Sequence, residues 1–107
     1  MARIDTTTTD AAVLEELGSR LRALRTGSRR LTQDELAYRA GVSVDTVRRI
    51  EAGDAVRFDL VIRVLRTLGL LDRLDSLAPA EDEPNPLDLL ARRQGAPQRV
   101  RKRKGER

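Results

Sequence analysis

The 107-residue sequence contains no cysteine, no histidine and no tryptophan, and it has one tyrosine and one phenylalanine. Without cysteine, the chain has no disulfides and no thiolate metal sites. Without histidine, it lacks the commonest zinc ligand and the commonest general base. We therefore predict that the protein uses no metal and no other cofactor. With only Tyr38 and Phe58 as aromatic residues, the core must be built from leucine, valine, isoleucine and alanine.

Long apolar runs are also missing. No stretch approaches the roughly 20 apolar residues of a membrane-spanning helix, and residues 1–10 lack the apolar segment of a secretion signal. The sequence has no glycine-rich phosphate-binding loop, and the pair Asp72 and Asp75 is interpreted as a polar helix face. These absences predict a cytoplasmic, bacterial protein that contacts no membrane and is not an enzyme.

Charge is present but unevenly distributed. The net charge of the chain is +4, yet residues 79–91 carry −4 and residues 92–107 carry +7. A basic tail beyond an acidic, proline-rich segment indicates binding to a polyanion, and a solvated disordered end has the same composition. Both interpretations remain open.

Apolar spacing predicts an all-α fold of five short helices. The first is predicted from Ala11 to Arg25, the second and third lie between Thr32 and Gly53, the fourth is predicted from Phe58 to Leu68, and the fifth carries Leu70, Leu71, Leu74 and Leu77. In the first helix Leu14, Leu17, Leu21 and Leu24 form the apolar stripe, and Arg20, Arg22 and Arg25 are predicted to face solvent. We predict a disordered N-terminus (1–10), a helical domain (11–78), and an acidic linker followed by a short leucine-bearing segment and a basic tail (79–107).

The segment from Thr32 to Gly53 predicts two capped helices joined by a tight turn. Thr32 and Glu35 have the spacing of a capping box, and Ser43 is a typical helix N-cap. Gly41 and Gly53 are placed where helices end in a left-handed residue. This arrangement is typical of a helix-turn-helix motif, whose second helix enters the major groove of DNA.

The same segment resembles the Cro/C1-type (Xre) helix-turn-helix family. The positions that carry the resemblance are Gln33, Leu36, Ala37, Gly41, Val42, Ser43, Thr46, Val47, Ile50, Glu51 and Gly53. The resemblance implies a lambda-repressor-like bundle that binds a palindromic double-stranded DNA operator as a homodimer. The dimer surface is predicted around Leu70, Leu71 and Leu74, and burial of these leucines in the core is an equal alternative.

Candidate DNA contacts follow from the resemblance. Gln33 is placed on a phosphate and against the recognition helix, and a solvated glutamine at the helix start is the alternative. Ser43 is expected to cap the recognition helix and contact the DNA backbone, and capping alone is an equal alternative. The positions that match base-reading positions are Val44, Asp45 and Arg49. Arg49 is the best candidate because a guanidinium pairs in bidentate fashion with guanine, whereas Asp45 either accepts from cytosine or only stabilises the helix terminus.

The remaining polar residues near the motif are assigned other roles. Thr46 and Arg48 are predicted to contact phosphates, with a solvated helix face as an equal alternative. Glu51 is interpreted as an intramolecular salt-bridge acceptor. Arg29 and Arg30 are further candidates for the DNA backbone.

Two functional classes fit the chain: a stand-alone regulator, and an antitoxin that also represses its own operon. The stretch NPLDLLARRQGAPQRVRKRK resembles the tail of HipB-type antitoxins, whose partner is a HipA-type serine/threonine kinase toxin. In that role Leu87, Leu89 and Leu90 are the predicted partner contacts. A leucine-bearing segment this short is not stable alone, so it folds only against its own domain or against a partner. In the competing account, the basic tail adds non-specific phosphate contacts.

Overall fold

The structure is a computed structural model that describes residues 2–81 and residue 87. Leu89, Leu90 and the basic tail lie outside the described residues. Among the described residues there are five helices and no strand, which confirms the all-α prediction. The helices are α1 (Asp10–Thr26), α2 (Gln33–Ala40), α3 (Val44–Ala52), α4 (Phe58–Thr67) and α5 (Arg73–Leu77).

The chain divides into two compact units, Met1–Arg73 and Leu74–Arg107. All of the helix-turn-helix motif lies in the first unit. Within the part of the chain described, no helix is long and apolar enough to cross a membrane.

Side-chain caps fix where the first three helices begin. The Thr9 hydroxyl accepts from the backbone N–H of Ala12, and the Ser43 hydroxyl accepts from that of Thr46. At α2 both halves of the predicted capping box form, since the Thr32 hydroxyl accepts from Glu35 N at 3.0 Å and the Glu35 carboxylate accepts from Thr32 N at 2.8 Å. Each cap gives a partner to an N–H that the helix itself leaves unpaired.

Residues 2–9 carry a turn ahead of α1. The Asp5 carboxylate accepts from Thr7 N at 2.8 Å, and the Arg20 guanidinium donates to the carbonyl of Ala2 at 2.6 Å. Disorder of the N-terminus in solution stays a prediction.

The core lies where α1 to α4 meet, and it is aliphatic, as the sequence predicts. Its buried hydrophobic residues are Leu21, Leu31, Leu36, Ala37, Val47, Ile50, Val64, Leu65 and Leu68. The predicted buried pair of α3, Val47 and Ile50, is confirmed, and α4 turns its predicted face inward. Burying these side chains contributes about 1.5–3 kcal/mol for each Leu, Ile or Val.

Three predictions about the helices are wrong. Arg25 does not face solvent: it is 6 % exposed, because α3 presents the carboxylate of Glu51 to its guanidinium. Leu17 is not buried as a residue of the apolar stripe is expected to be: it is 38 % exposed, although it lines an apolar pocket together with Leu14 and Phe58. Finally, α5 begins only at Arg73, after a non-helical stretch that includes Leu70 and Leu71.

A close approach of backbones holds α1 against the end of α3. Gly18 is buried in α1, and a Cβ atom at this position would clash with the carbonyl oxygens of Ile50 and Glu51, lying 2.8 Å from the latter. Only glycine permits this spacing. The position of α3 is therefore set by backbone contact as well as by its buried side chains.

Candidate nucleic-acid interface

The turn between α2 and α3 is fixed at both ends. Gly41 adopts a left-handed conformation (φ 73°), and the N–H of Val42 donates to the carbonyl of Ala37 at 3.1 Å. The guanidinium of Arg63 in α4 donates to the carbonyl of Gly41 at 3.1 Å. Sequence reasoning did not identify Arg63, because its partner lies 22 positions away and no local spacing signals the contact.

Helix α3 has one buried face and one face open to solvent. Val47 and Ile50 point into the core, whereas Asp45, Arg48 and Arg49 are exposed on the outer side. Two further candidate residues, Val44 and Thr46, are half-buried beside this face. The structure thus places the predicted base-reading residues at an accessible surface, and their contact with DNA stays a prediction.

The outer face of α3 carries an ion pair. Arg49 Nε lies 3.4 Å from Asp45 Oδ2, and the two side chains are 59 % and 70 % exposed. Asp45 also lies in the first turn of α3, where the helix dipole favours a negative charge. Two of the three predicted base-reading residues therefore contact each other.

Behind this face, one carboxylate joins α1, α2 and α3. Glu51 accepts from Arg25 Nε at 2.7 Å and from Gln33 Nε2 at 3.0 Å. Arg25 also donates to the carbonyl of Leu31 at 2.8 Å. The predicted salt-bridge role of Glu51 and the predicted position of Gln33 against the recognition helix are both confirmed.

At the N-terminus of α2, a groove with a volume of about 420 Å³ opens beside α3. Two of its arginines, Arg22 and Arg48, are exposed, whereas Arg25 is buried against Glu51. The groove is lined by Arg22, Arg25, Thr32, Gln33, Asp34, Val44 and Arg48. Sequence reasoning placed Arg22 only on the solvent face of α1, since nothing in the spacing indicates that α1 and α3 converge here.

Ser43 and Thr46 are joined by their side chains as well as by the helix cap. Their hydroxyl oxygens lie 3.0 Å apart, and Thr46 N donates to Ser43 Oγ at 3.1 Å. The capping role predicted for Ser43 is confirmed, and its contact with the DNA backbone stays a prediction.

The two arginines ahead of α2, Arg29 and Arg30, have different environments. Arg29 donates from Nε to the carbonyl of Leu68 at 3.0 Å and from a terminal nitrogen to Ser28 Oγ at 3.2 Å. It thereby ties the segment before α2 to the end of α4. Arg30 is exposed and takes a positive φ of 53°.

Comparison with known protein families matches residues 16–77 to the family described as Helix-turn-helix domain. The matched range includes α2, the Gly41 turn and α3, which are the elements that build the candidate interface. No curated protein matches the chain. Because the family match covers more than half of the sequence, the chain belongs to the helix-turn-helix domain family, a family of DNA-binding domains.

Proposed function

We propose that this protein is a sequence-specific transcriptional repressor that inserts α3 into the major groove of an operator. The observation that carries the proposal is the two-faced packing of α3: Val47 and Ile50 anchor it, while Asp45 and Arg49 remain accessible. A helix seated in this way behind a tight turn has the geometry that reads base edges. Arg49 is the residue proposed to pair with guanine.

The groove at the start of α2 supports a phosphate contact next to the reading helix. The side-chain amide nitrogen of Gln33 has two hydrogens, and one is donated to Glu51. The second is available to a phosphate oxygen. Arg22 and Arg48 add positive charge beside it, and the first N–H groups of a helix favour an anion.

We further propose that the protein binds a palindromic operator as a homodimer. A single domain of this size makes few contacts, and two-fold related half-sites one helical turn apart double them. Leu70, Leu71 and Leu74 are each half-buried, which suits a shared apolar surface as well as a core.

The test is selection of bound duplexes from a randomised double-stranded library, followed by affinity measurements with the enriched sequence. We expect a palindrome with a guanine in each half-site. Arg49→Ala is expected to lose roughly 1–3 kcal/mol on that sequence and to relax the preference at that guanine, because the bidentate pair is gone. Equal losses on operator and random duplex would contradict the reading role of Arg49, and no enriched sequence would contradict the function.

We also propose that the protein is the antitoxin of a HipA/HipB-like toxin–antitoxin pair. A stand-alone regulator is the alternative. What supports it is the resemblance of the C-terminal stretch to HipB-type tails, together with the position of its first leucine. Leu87 is 73 % exposed, as a partner contact requires. The discriminating experiment is capture of partners by the full chain in its native host. A serine/threonine kinase encoded beside this chain is the expected partner, and capture of none favours the stand-alone role.

A further inference from the structure

We propose that Asp45 is a positioning residue for Arg49 and does not itself read a base. The inference rests on the proposed operator binding and concerns how the reading face achieves its specificity. It assigns to the carboxylate the task of holding the Arg49 guanidinium toward a guanine. The sequence alone leaves a direct contact between Asp45 and cytosine as an alternative.

The geometry of the ion pair favours the positioning role. The carboxylate approaches Arg49 at Nε, at 3.4 Å, which is the inner edge of the guanidinium. Bidentate recognition of guanine requires two donors directed at O6 and N7, and the terminal nitrogens supply them. A carboxylate whose nearest approach is to Nε leaves the two terminal nitrogens as the donors that we propose for guanine.

The choice of partner on α3 supports the same role. Asp45 lies three residues before Arg48 and four before Arg49, so both arginines are within reach on a helix. The ion pair is made with Arg49, whereas Arg48 lines the groove at the start of α2. Asp45 is thus engaged by the arginine proposed to read a base, and the other arginine is left for the phosphates.

Electrostatics gives the pairing a second consequence. An unpaired carboxylate in the middle of a DNA-facing surface repels phosphates. In the ion pair, the positive charge of Arg49 offsets the negative charge of Asp45. The repulsion between Asp45 and the phosphates is therefore smallest when Arg49 is present. Removal of Asp45 is therefore expected to strengthen binding to any duplex while weakening discrimination.

The size of the effect follows from the exposure of the pair. An exposed pair four residues apart on a helix gives roughly a factor of two, and exclusion of water at a DNA interface increases this. We therefore expect Asp45→Ala to reduce the preference for guanine over adenine by about two- to tenfold. Complete loss of the bidentate contact reduces it by roughly 5- to 150-fold.

The experiment uses the sequence enriched by the full-length wild-type chain and the same duplex with adenine at the Arg49 position. Affinities for both, and for a random duplex, are measured with Asp45→Ala, Arg49→Ala and the double variant. We expect Asp45→Ala to lower the preference for guanine over adenine when Arg49 is present and to leave that preference unchanged in the Arg49→Ala background. Affinity for random duplex is expected to rise in both backgrounds, because a negative charge is removed from the surface. Asp45→Glu retains a carboxylate that reaches Arg49 and is expected to restore discrimination.

Other outcomes would overturn the proposal. If Asp45→Ala alters the preference at a cytosine equally with and without Arg49, Asp45 reads that base directly. If discrimination is unchanged, the ion pair plays no part in recognition. Melting temperatures of the variants show whether a change in discrimination comes from a loss of helix stability. Asp45→Glu is the control, because it keeps a negative charge in the first turn of α3. Enrichment of a sequence by the wild type upholds operator binding whichever outcome is found, and failure to enrich any sequence overturns both proposals.

Discussion

At the scale of single residues, Glu51 couples the stability of the fold to the candidate interface. Its carboxylate is nearly inaccessible to water and is shared between Arg25 and Gln33. The first contact neutralises a buried charge, and the second orients the residue proposed to contact a phosphate. One side chain therefore serves two purposes that substitutions can separate.

Arg25→Met is expected to destabilise the domain by about 3–5 kcal/mol, because it leaves the Glu51 carboxylate buried without a cation. The double variant Arg25→Met/Glu51→Leu is expected to recover most of this loss, since no uncompensated charge remains. Urea unfolding of the three proteins measures both effects. The double variant is still expected to bind DNA more weakly than wild type, because Gln33 has lost its acceptor. Full recovery of affinity together with stability would argue against the orienting role.

Sequence reasoning identified Glu51 as a salt-bridge acceptor and failed to identify its partner. Arg25 sits among arginines of α1 with the same helical spacing as a solvent face, so periodicity alone assigned it to water. Its burial depends on where α3 crosses α1, and that crossing is set by Gly18 and by the core. Local pattern predicts such residues poorly, because the deciding contact is distant in sequence.

At the scale of secondary-structure elements, caps account for most of what the sequence predicted well. Thr32, Glu35 and Ser43 act within three residues of their partners, so their roles can be read from spacing. The start of α5 was predicted less well, because leucine spacing continues through Leu70 and Leu71 whereas the helix begins only at Arg73.

The capping box predicts a pH dependence that can be assigned to one residue. The hydrogen bond from Thr32 N holds the pKa of Glu35 below the ordinary glutamate value of 4.5, and the Thr32 hydroxyl contributes in the same direction. A carboxyl whose pKa is lowered by folding stabilises the native state above its unfolded pKa, and this contribution is lost as the pH falls through the folded pKa.

Glu35→Gln removes this titration while retaining an acceptor for Thr32 N. We expect the wild type to melt at a higher temperature than the variant at neutral pH, because the bond to a carboxylate is the stronger one. The difference in melting temperature between the wild type and the variant should disappear as the pH is lowered from about 6 to about 3. Thermal unfolding across this range measures it, and the variant controls for all other carboxylates. A gap independent of pH would exclude Glu35 as its source.

At the scale of the whole molecule, the helix-turn-helix motif and the first proposed partner contact, Leu87, lie in different compact units. The helix-turn-helix motif lies within Met1–Arg73, and Leu87 lies within Leu74–Arg107. DNA binding and toxin binding are therefore expected to be separable by substitution.

Changing Leu87 and Leu90 to Ser is expected to leave operator affinity unchanged and to abolish neutralisation of a kinase toxin, because an apolar contact becomes polar. Growth of cells that co-express the toxin, with operator affinity measured in parallel, tests both parts. Leu77→Ser is a matched control, since Leu77 is 72 % exposed and lies outside the proposed contact segment. Intact rescue by the double variant would refute the contact, and loss of rescue in the control would show that the effect is not specific to that segment.

The close approach of α1 and α3 at Gly18 determines which positions of the domain can be substituted to change its DNA specificity. Because the main chain of α3 at Ile50 and Glu51 rests against Gly18 of α1, the exposed residues Asp45 and Arg49 take no part in that contact. They are free to change without altering the angle at which the helix is presented. A larger residue at position 18 has the opposite effect, since it displaces α3 and would alter every proposed base contact at once. New target sequences are therefore accessible through exchanges on the outer surface, while position 18 is constrained to glycine.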